Sequence, residues 1–149
     1  PFRLLAVWAK PSDARQGAYV RSVLRALDLY SGWLKERPAV VMGDFNTNPG
    51  WRHRPQAKEL AQRLKDEFGL ASAYHAHRGV DFGAEPEATF HMWRRAERPY
   101  HIDFCFVPNA WVKAIREVRV GTHGLWTRYS DHCPLIVDVG LSDRSRIGA

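Results

Sequence analysis

The alternation of apolar and polar residues divides the chain into short strands and two longer helices. Ala39–Met42 is a run of four apolar residues, too short for a helix, and predicts a buried strand. In Tyr19–Leu34 apolar residues recur every three or four positions, which is typical of an amphipathic helix packed on a sheet. A second helix is predicted from about Gln56 to Phe68, with Gly69 as its C-cap. Strand, helix and strand in this order favour an α/β fold.

The rest of the chain is predicted to be mostly extended. Six further segments have strand-like patterns: Phe2–Val7, Leu70–Tyr74, Thr89–Trp93, Tyr100–Val107, Val112–Val120 and Leu135–Val139. Two loops are predicted between them: His75–Glu87 and Gly121–Ser130. Ser12 or Asp13 is expected to cap the first helix. Residues 1–140 are therefore expected to form one domain, followed by a polar tail over residues 141–149.

Composition and charge narrow the possible functions. No apolar run approaches the roughly 20 residues that a membrane-spanning helix needs. The 22 Lys and Arg against 16 Asp and Glu leave a net charge of +6, which allows an anionic partner such as a nucleic acid. The two cysteines, Cys105 and Cys133, are too few for a disulfide framework and favour a reduced, intracellular setting.

Candidate chemistry begins where the Ala39–Met42 strand ends. Asp44 and Asn46 follow this strand, and Asn46 opens a run of turn-forming residues. On an extended path, residues two apart point the same way, so a carboxylate and an amide are expected side by side at the mouth of the sheet. Ligands commonly bind there in α/β folds. An Asx turn that only closes the strand is the alternative.

A second acidic group lies inside an apolar segment. Asp103 interrupts Tyr100–Val107, and a buried carboxylate is costly without a partner. His132, which follows Asp131 shortly before the last strand, is the natural candidate. A carboxylate that accepts a hydrogen bond from one ring nitrogen fixes the tautomer and favours the charged ring. A purely structural His–Asp pair is the alternative.

Three short motifs, Gly43–Asn46, His101–Phe104 and Ser130–Pro134, together resemble the endonuclease/exonuclease/phosphatase superfamily. The resemblance runs from about Phe2 to Val139. It implies an α/β fold that is part of a DNase I-like four-layer sandwich, with a mixed, mostly antiparallel sheet and flanking helices.

The resemblance also implies metal-assisted phosphoester hydrolysis. Asp44 would orient or deprotonate the attacking water, and Asn46 would donate a hydrogen bond to the phosphate. Asp103 would orient His132, which would stabilise the pentacovalent phosphate. Asp131, together with Asp44, would bind Mg²⁺ or Mn²⁺, since hard cations prefer oxygen ligands. The implied function is that of a Mg²⁺-dependent phosphodiester hydrolase.

The chain also departs from the family pattern. The family's first half, which carries an Asn and a metal-binding Glu, has no counterpart here, so the chain resembles the second half. A lone half would expose a sheet face, which predicts an interface with a second chain or with the missing N-terminal half. Many family members carry a His or Tyr near the end of the strand equivalent to Phe2–Val7, where this sequence has Trp8. Trp8 offers only an indole N–H donor.

Three further residues are candidates for substrate contact. Trp93 and Trp126 could stack on bases, and Arg94 could contact phosphates, although core packing and a solvated turn are the alternatives. With the positive charge, they favour a nuclease acting on DNA or RNA. The alternatives are a catalytically weak or inactive module that binds phosphate or nucleic acid, and a phosphatase or phospholipid phosphodiesterase of the same fold.

Overall fold

The computed structural model describes residues 1–11, 17–52 and 55–140. The strands are β1 (Arg3–Trp8), β2 (Ala39–Asp44), β3 (Leu70–Ser72), β4 (Phe90–His91), β5 (Pro99–Tyr100), β6 (Asp103–Pro108), β7 (Ile115–Val120) and β8 (Leu135–Val139). The helices are α1 (Ala18–Lys35), α2 (Pro55–Asp66), α3 (Ala73–Arg78) and α4 (His123–Trp126), with 3₁₀ turns at Met92–Arg94 and Asn109–Ala114. The proposed caps Ser12 and Asp13 and the tail 141–149 lie outside the described residues.

The central sheet has the strand order β1-β2-β6-β3. β1 runs parallel to β2, whereas β6 is antiparallel to both of its neighbours, so the sheet is mixed and mostly antiparallel, as predicted. The periodic apolar positions of α1 and α2 pack on one face of this sheet. That core contains the following side chains: Val23 and Leu27 of α1, Leu60 and Leu64 of α2, and Val41, Phe104 and Phe106 of the sheet.

The opposite face of the sheet is only partly covered. The antiparallel pair β7–β8 and helix α3 pack there, and a second core forms from Tyr74, Val40, Cys105, Val107, Val118 and Val137. Strand β1 contributes little to this core, since Leu4 is 50% exposed and Trp8 is 71% exposed. This face therefore carries an open apolar strip along β1.

Several predicted elements are confirmed, and others are wrong at their ends. The strands at Phe2–Val7, Ala39–Met42 and Leu135–Val139 and both long helices are present. In Leu70–Tyr74 the strand stops at Ser72, because Ala73 and Tyr74 begin α3 and are fully buried in the second core. The predicted loop His75–Glu87 therefore starts with a helix.

Three other boundaries depend on contacts distant in sequence. Tyr100–Val107 is split into β5 and β6, because the N–H groups of Ile102 and Asp103 donate to Thr89 Oγ1 instead of to a neighbouring strand. The 3₁₀ turn at Asn109–Ala114 replaces the start of the strand predicted at Val112–Val120. The predicted strand Thr89–Trp93 is limited to β4 by the 3₁₀ turn that follows, and the loop Gly121–Ser130 contains α4.

Both cysteines are buried as small apolar residues, as predicted, and burial raises the pKa of the Cys105 thiol to about 11. Among the described residues, no helix combines the length and the apolar character needed to cross a membrane.

Gly43 sets the end of β2 next to Asp44. Its φ is 135°, and a Cβ at this position would lie 2.0 Å from the carbonyl oxygen of Val7 on the paired strand. We expect Gly43→Ala to lower the free energy of unfolding by more than about 2 kcal/mol, because both the backbone conformation and the strand contact oppose a side chain. Urea unfolding followed by circular dichroism measures this change.

Gly32 provides the matched control. It lies within α1 and nothing is within 4 Å of a Cβ added there. Gly32→Ala is expected to raise the free energy of unfolding by about 0.5–1 kcal/mol, because Ala has the higher helix propensity. Equal unfolding free energies for the two variants would contradict the strand geometry described for Gly43.

Candidate active site

Three side chains lie in one row across neighbouring strands. Trp8 of β1 is the register partner of Asp44 of β2, and Asp44 is the partner of Asp103 of β6. Paired residues on adjacent strands point to the same face and are separated by about 4.8 Å, the ordinary strand spacing. The row lies on the face that carries the second core, at the end of the sheet where β2 passes into its loop. The fold therefore brings together the first two predicted carboxylates.

The segment Asp44–Asn46 forms a local hydrogen-bonded turn. Asn46 adopts a φ of 51°, a left-handed conformation that Asn tolerates better than most residues. Its backbone N–H donates to Asp44 Oδ1 at 2.8 Å, and its Nδ2 donates to Asp44 Oδ2 at 2.7 Å and to the carbonyl of Ala9 at 3.0 Å. The Asx turn is thus present, and it also holds the Asp44 carboxylate in place. Both amide hydrogens of Asn46 are used, so its predicted contact with phosphate requires one of these bonds to open.

Asp103 and His132 form the pair expected from the sequence. His132 Nδ1 donates to Asp103 Oδ2 at 2.9 Å, which leaves Nε2 as the ring atom available to a substrate. The hydrogen bond from His132 to Asp103 raises the pKa of the imidazole, and the negative charges of Asp44 and Asp131 add to this effect against the opposing influence of burial. The ring is therefore biased toward its charged form.

Asp131, the remaining predicted acidic residue, lines one open cleft together with these side chains. The open cleft has a volume of about 620 Å³, and its lining includes Asp44, Asp103, Asp131, His132 and Trp126. Burial raises the pKa of Asp44, and the negative charge of Asp103 adds to this, while hydrogen bonds from Asn46 and the positive charge of His132 oppose it. Asp44 is therefore a stronger base than an ordinary surface carboxylate.

Thr89 connects the parts of this site, and nothing in the sequence pattern singled it out. It is fully buried, and its Oγ1 accepts hydrogen bonds from the backbone of Ile102 and Asp103 at 3.1 and 3.0 Å. Its carbonyl accepts from the N–H of Cys133, directly after His132. Thr89 thus positions both members of the Asp103–His132 pair relative to each other.

Of the three predicted substrate-contact residues, Trp126 lines the cleft and Trp93 and Arg94 do not. Trp126 lines the cleft and is 37% exposed. Trp93 is 65% exposed in the turn after β4, and its φ of 57° and that of 59° at Arg94 are left-handed. Arg94 donates to the carbonyl of Tyr129 at 3.4 Å. This turn adjoins the site because Phe90 of β4 forms a bridge with His132, but its side chains are not among those that line the cleft.

A second polar cluster supports the loop that follows Asn46. Glu85 Oε1 bonds to His75 Nε2 and accepts from Asn48 Nδ2, both at 2.9 Å, and the Glu85 carboxylate also accepts from the Gly83 N–H. Burial alone would raise the pKa of Glu85, but the hydrogen bonds from His75, Gly83 and Asn48 outweigh it and lower the pKa to about 2.

This cluster makes stability dependent on pH in the acid range. Because the folded-state pKa of Glu85 is below its ordinary value, its contribution is complete above about pH 5 and is lost as the pH falls toward 2. We expect Glu85→Gln to lower the free energy of unfolding at pH 7 by about 2–3 kcal/mol and to flatten its decrease between pH 5 and pH 2. Urea unfolding at a series of pH values measures both effects.

Exposed Glu59 on α2 provides the control for this prediction. Glu59→Gln is expected to change the free energy of unfolding by less than about 0.5 kcal/mol. An acid dependence of Glu85→Gln that matches the wild-type curve would show that the Glu85 cluster does not contribute to stability.

The mixed sheet with helices on one face and a partial second sheet on the other defines a DNase I-like α/β protein, and comparisons with known proteins agree. The model of the Endonuclease/Exonuclease/phosphatase family matches residues 13–132, and the chain belongs to this family. No curated protein matches it in sequence.

Solved structures show the same fold. A 3′ phosphatase, NExo, from Neisseria, bound to a product DNA hairpin, matches with a TM-score of 0.69 at 19% identity. The 3′-5′ exonuclease NExo from Neisseria meningitidis matches at 0.62 and 20%, and an AP endonuclease from Archaeoglobus fulgidus at 0.65 and 17%. Each match covers 93% of this chain and 61% of the other, so the chain spans less than two thirds of the length of these structures.

Proposed function

We propose that this chain carries the catalytic residues of a Mg²⁺-dependent phosphodiester hydrolase that acts as a nuclease on DNA or RNA. The observation that carries the proposal is the convergence of Asp44, Asp103, Asp131 and His132 on one open cleft. These residues are distant in sequence, and the hydrogen bond between His132 and Asp103 leaves one ring nitrogen for a substrate. Membership of a family named for nucleases and phosphatases supports the same class of reaction.

The side chains suit distinct steps of phosphoester hydrolysis. Asp44 would accept a proton from the attacking water, and its raised pKa makes it a better base at neutral pH. His132 would donate from Nε2 to the phosphate oxygen on which negative charge develops. Asp103 would hold the ring of His132 in position and stabilise its positive charge.

The proposed metal is Mg²⁺ or Mn²⁺. Asp44 and Asp131 line the cleft with carboxylate oxygens, while Asp103 is engaged by His132. Proteins commonly bind Mg²⁺ through one or two carboxylates, with water and substrate phosphates completing the shell. Such an ion would neutralise phosphate charge and support the leaving oxygen. Within residues 1–11, 17–52 and 55–140, no group of three His, Cys, Asp or Glu residues could hold a metal, so these two carboxylates would need further oxygen ligands.

Nucleic acid is the proposed substrate class. The net charge of +6 favours a polyanion, and Trp126 in the cleft offers a ring on which a base could stack. Trp93 and Arg94, in the exposed turn beside the site, are proposed to contact a flanking nucleotide. The names of the similar structures include a DNA-bound 3′ phosphatase, an exonuclease and an AP endonuclease.

The open strip along β1 belongs to the same proposal. Phe2, Leu4 and Trp8 are exposed there, and Ile136 is exposed on β8. Exposed apolar surface of this kind marks interaction sites. We propose that further polypeptide, from a second chain or from the N-terminal half of the family fold, covers the part of the strip around Phe2 and Leu4, leaves Trp8 open to the cleft, and completes the sandwich.

A second function, a phosphate- or nucleic-acid-binding module without turnover, is favoured by one observation. The described residues offer only a partial set of metal ligands, namely the carboxylates of Asp44 and Asp131. Isothermal titration with Mg²⁺ and Mn²⁺ distinguishes the two functions, because a module would bind oligonucleotides without binding either ion at millimolar concentrations.

Hydrolysis assays test the proposed function directly. End-labelled single-stranded and duplex DNA, RNA, a 3′-phosphorylated DNA, an inositol phosphate and a sphingomyelin vesicle are incubated with the protein in Mg²⁺, Mn²⁺ or EDTA. We expect metal-dependent cleavage of a nucleic acid and none in EDTA. Cleavage of only the inositol phosphate or the lipid would replace the substrate class, and no metal-dependent hydrolysis of any of them would refute the enzyme assignment.

A further inference from the structure

We propose that Trp8 is a base-stacking residue that makes the cleft selective for an unpaired nucleotide over a base inside a duplex. This inference rests on the proposed action on nucleic acid and names the form of nucleic acid that the site accepts. It starts from the position of Trp8, which is the register partner of Asp44. Trp8 therefore lies one strand spacing from the carboxylate proposed to accept the proton of the attacking water.

Trp8 is unusually accessible for its size and position. It is 71% exposed at the end of β1 and lines the same cleft as Asp44, Asp103 and His132. The residues below it on the same face of β1, Leu4 and Ala6, pair with Val40 and Met42 of the second core, whereas Trp8 pairs with a catalytic carboxylate. Trp8 therefore belongs to the polar end of this face, where a substrate would bind.

Lys10 places a positive charge over the Trp8 ring. Its Nζ lies 3.8 Å from the centroid of the Trp8 ring, over one face. A cation on one face of an indole leaves the other face for stacking, and the ammonium can at the same time attract a phosphate next to the stacked base. Trp8 and Lys10 thus form a pair that fits a base and its adjoining phosphate.

Selectivity follows from the geometry of stacking. A base inside a duplex has both faces covered by its neighbours, so an indole at the site can stack only on a base that is unpaired or displaced from the helix. Because Trp8 is directly beside Asp44, the stacked base would flank the phosphate that reacts. The site is therefore built for single strands or frayed ends.

Binding measured without turnover tests this inference separately from hydrolysis. The affinities of a fluorescein-labelled single-stranded DNA, of the same strand made entirely of abasic residues, and of a blunt duplex are measured by anisotropy in EDTA. The variants are Trp8→Ala and Trp8→Phe. The matched control is Trp33→Ala, since Trp33 on α1 is also an exposed indole with a cation over its ring, Arg3 at 4.8 Å, at the opposite end of β1.

We expect Trp8→Ala to weaken binding of the base-bearing single strand about tenfold, and binding of the abasic strand and of the blunt duplex by less than about twofold. The affinity of Trp8→Phe for the base-bearing strand should lie between those of the wild type and Trp8→Ala. The affinity of Trp33→Ala should match that of the wild type. Equal losses on both strands, no loss on either, or no binding of any oligonucleotide by the wild type would overturn the inference. A variant that binds like the wild type but melts at a lower temperature would instead assign Trp8 to packing and also overturn it. If the wild type shows the base-dependent difference but hydrolyses nothing, the enzyme assignment fails and the stacking role stands.

Discussion

Replacement of Asp44 by Asn is expected to reduce metal-dependent hydrolysis by about a thousandfold or more, without unfolding the protein. The substitution keeps the shape of the side chain and one of the two hydrogen bonds that it accepts from Asn46, but an amide cannot accept a proton from water. Because burial raises the pKa of Asp44, the charged carboxylate is not held there for stability, and the neutral amide should be tolerated. Single-turnover rates at saturating protein measure the chemical step, and thermal melting confirms the fold.

Asp138 supplies the control for Asp44. It is an exposed carboxylate on β8, outside the cleft lining. Asp138→Asn should leave the single-turnover rate within about twofold of the wild type, as expected for surface substitutions. A rate for Asp44→Asn that equals that of Asp138→Asn would remove Asp44 from the mechanism.

The second large effect concerns the His132–Asp103 pair. His132→Ala is expected to lower the single-turnover rate by about 10²–10³, the usual loss when a donor to a developing oxyanion is removed. Asp103 acts through His132, since its carboxylate accepts the Nδ1–H at 2.9 Å. The double variant His132→Ala/Asp103→Ala should therefore be about as slow as His132→Ala alone, because residues that act as a unit are not additive.

The pH profile of the same reaction tests whether Asp103 acts on the charge of His132. The imidazolium of His132 is present below its raised pKa and is lost as the pH rises through it, so activity should fall at that alkaline limit. Asp103→Asn removes the charge that raises this pKa and should move the alkaline limit to lower pH. Multiplicative losses of rate in the double variant, together with an unchanged alkaline limit in Asp103→Asn, would show that the two residues act independently.

Elements defined by local periodicity could be predicted from the sequence. The spacing of Val20, Val23, Leu24 and Leu27 requires a helix that packs on a sheet, and α1 lies there. The isolated carboxylate within Tyr100–Val107 required a partner, and His132 fills that role. The candidate site could therefore be assembled from strand ends and from charges that interrupt apolar runs.

Features that depend on distant contacts could not be predicted in this way. The break before β6 is caused by the hydroxyl of Thr89, which takes the N–H groups of Ile102 and Asp103. Helix α3 forms because Tyr74 is buried under β6 and β7, and a short segment shows too little periodicity to reveal this. The use of both amide hydrogens of Asn46 also follows only from the position of Ala9 on the neighbouring chain segment.

Ring signals of histidine in an NMR titration test whether these residues form one phosphate-binding cleft. A dinucleotide is added to ¹⁵N-labelled protein in EDTA, and the His132 signal is assigned from a His132→Gln variant. Because Nε2 of His132 is the ring atom left for a substrate, its signal should shift with the dinucleotide. The signals of His75, in the Glu85 cluster, and of His101, beside it, should stay in place. A His132 signal that does not move while the dinucleotide binds would contradict the assignment of this cleft as the active site.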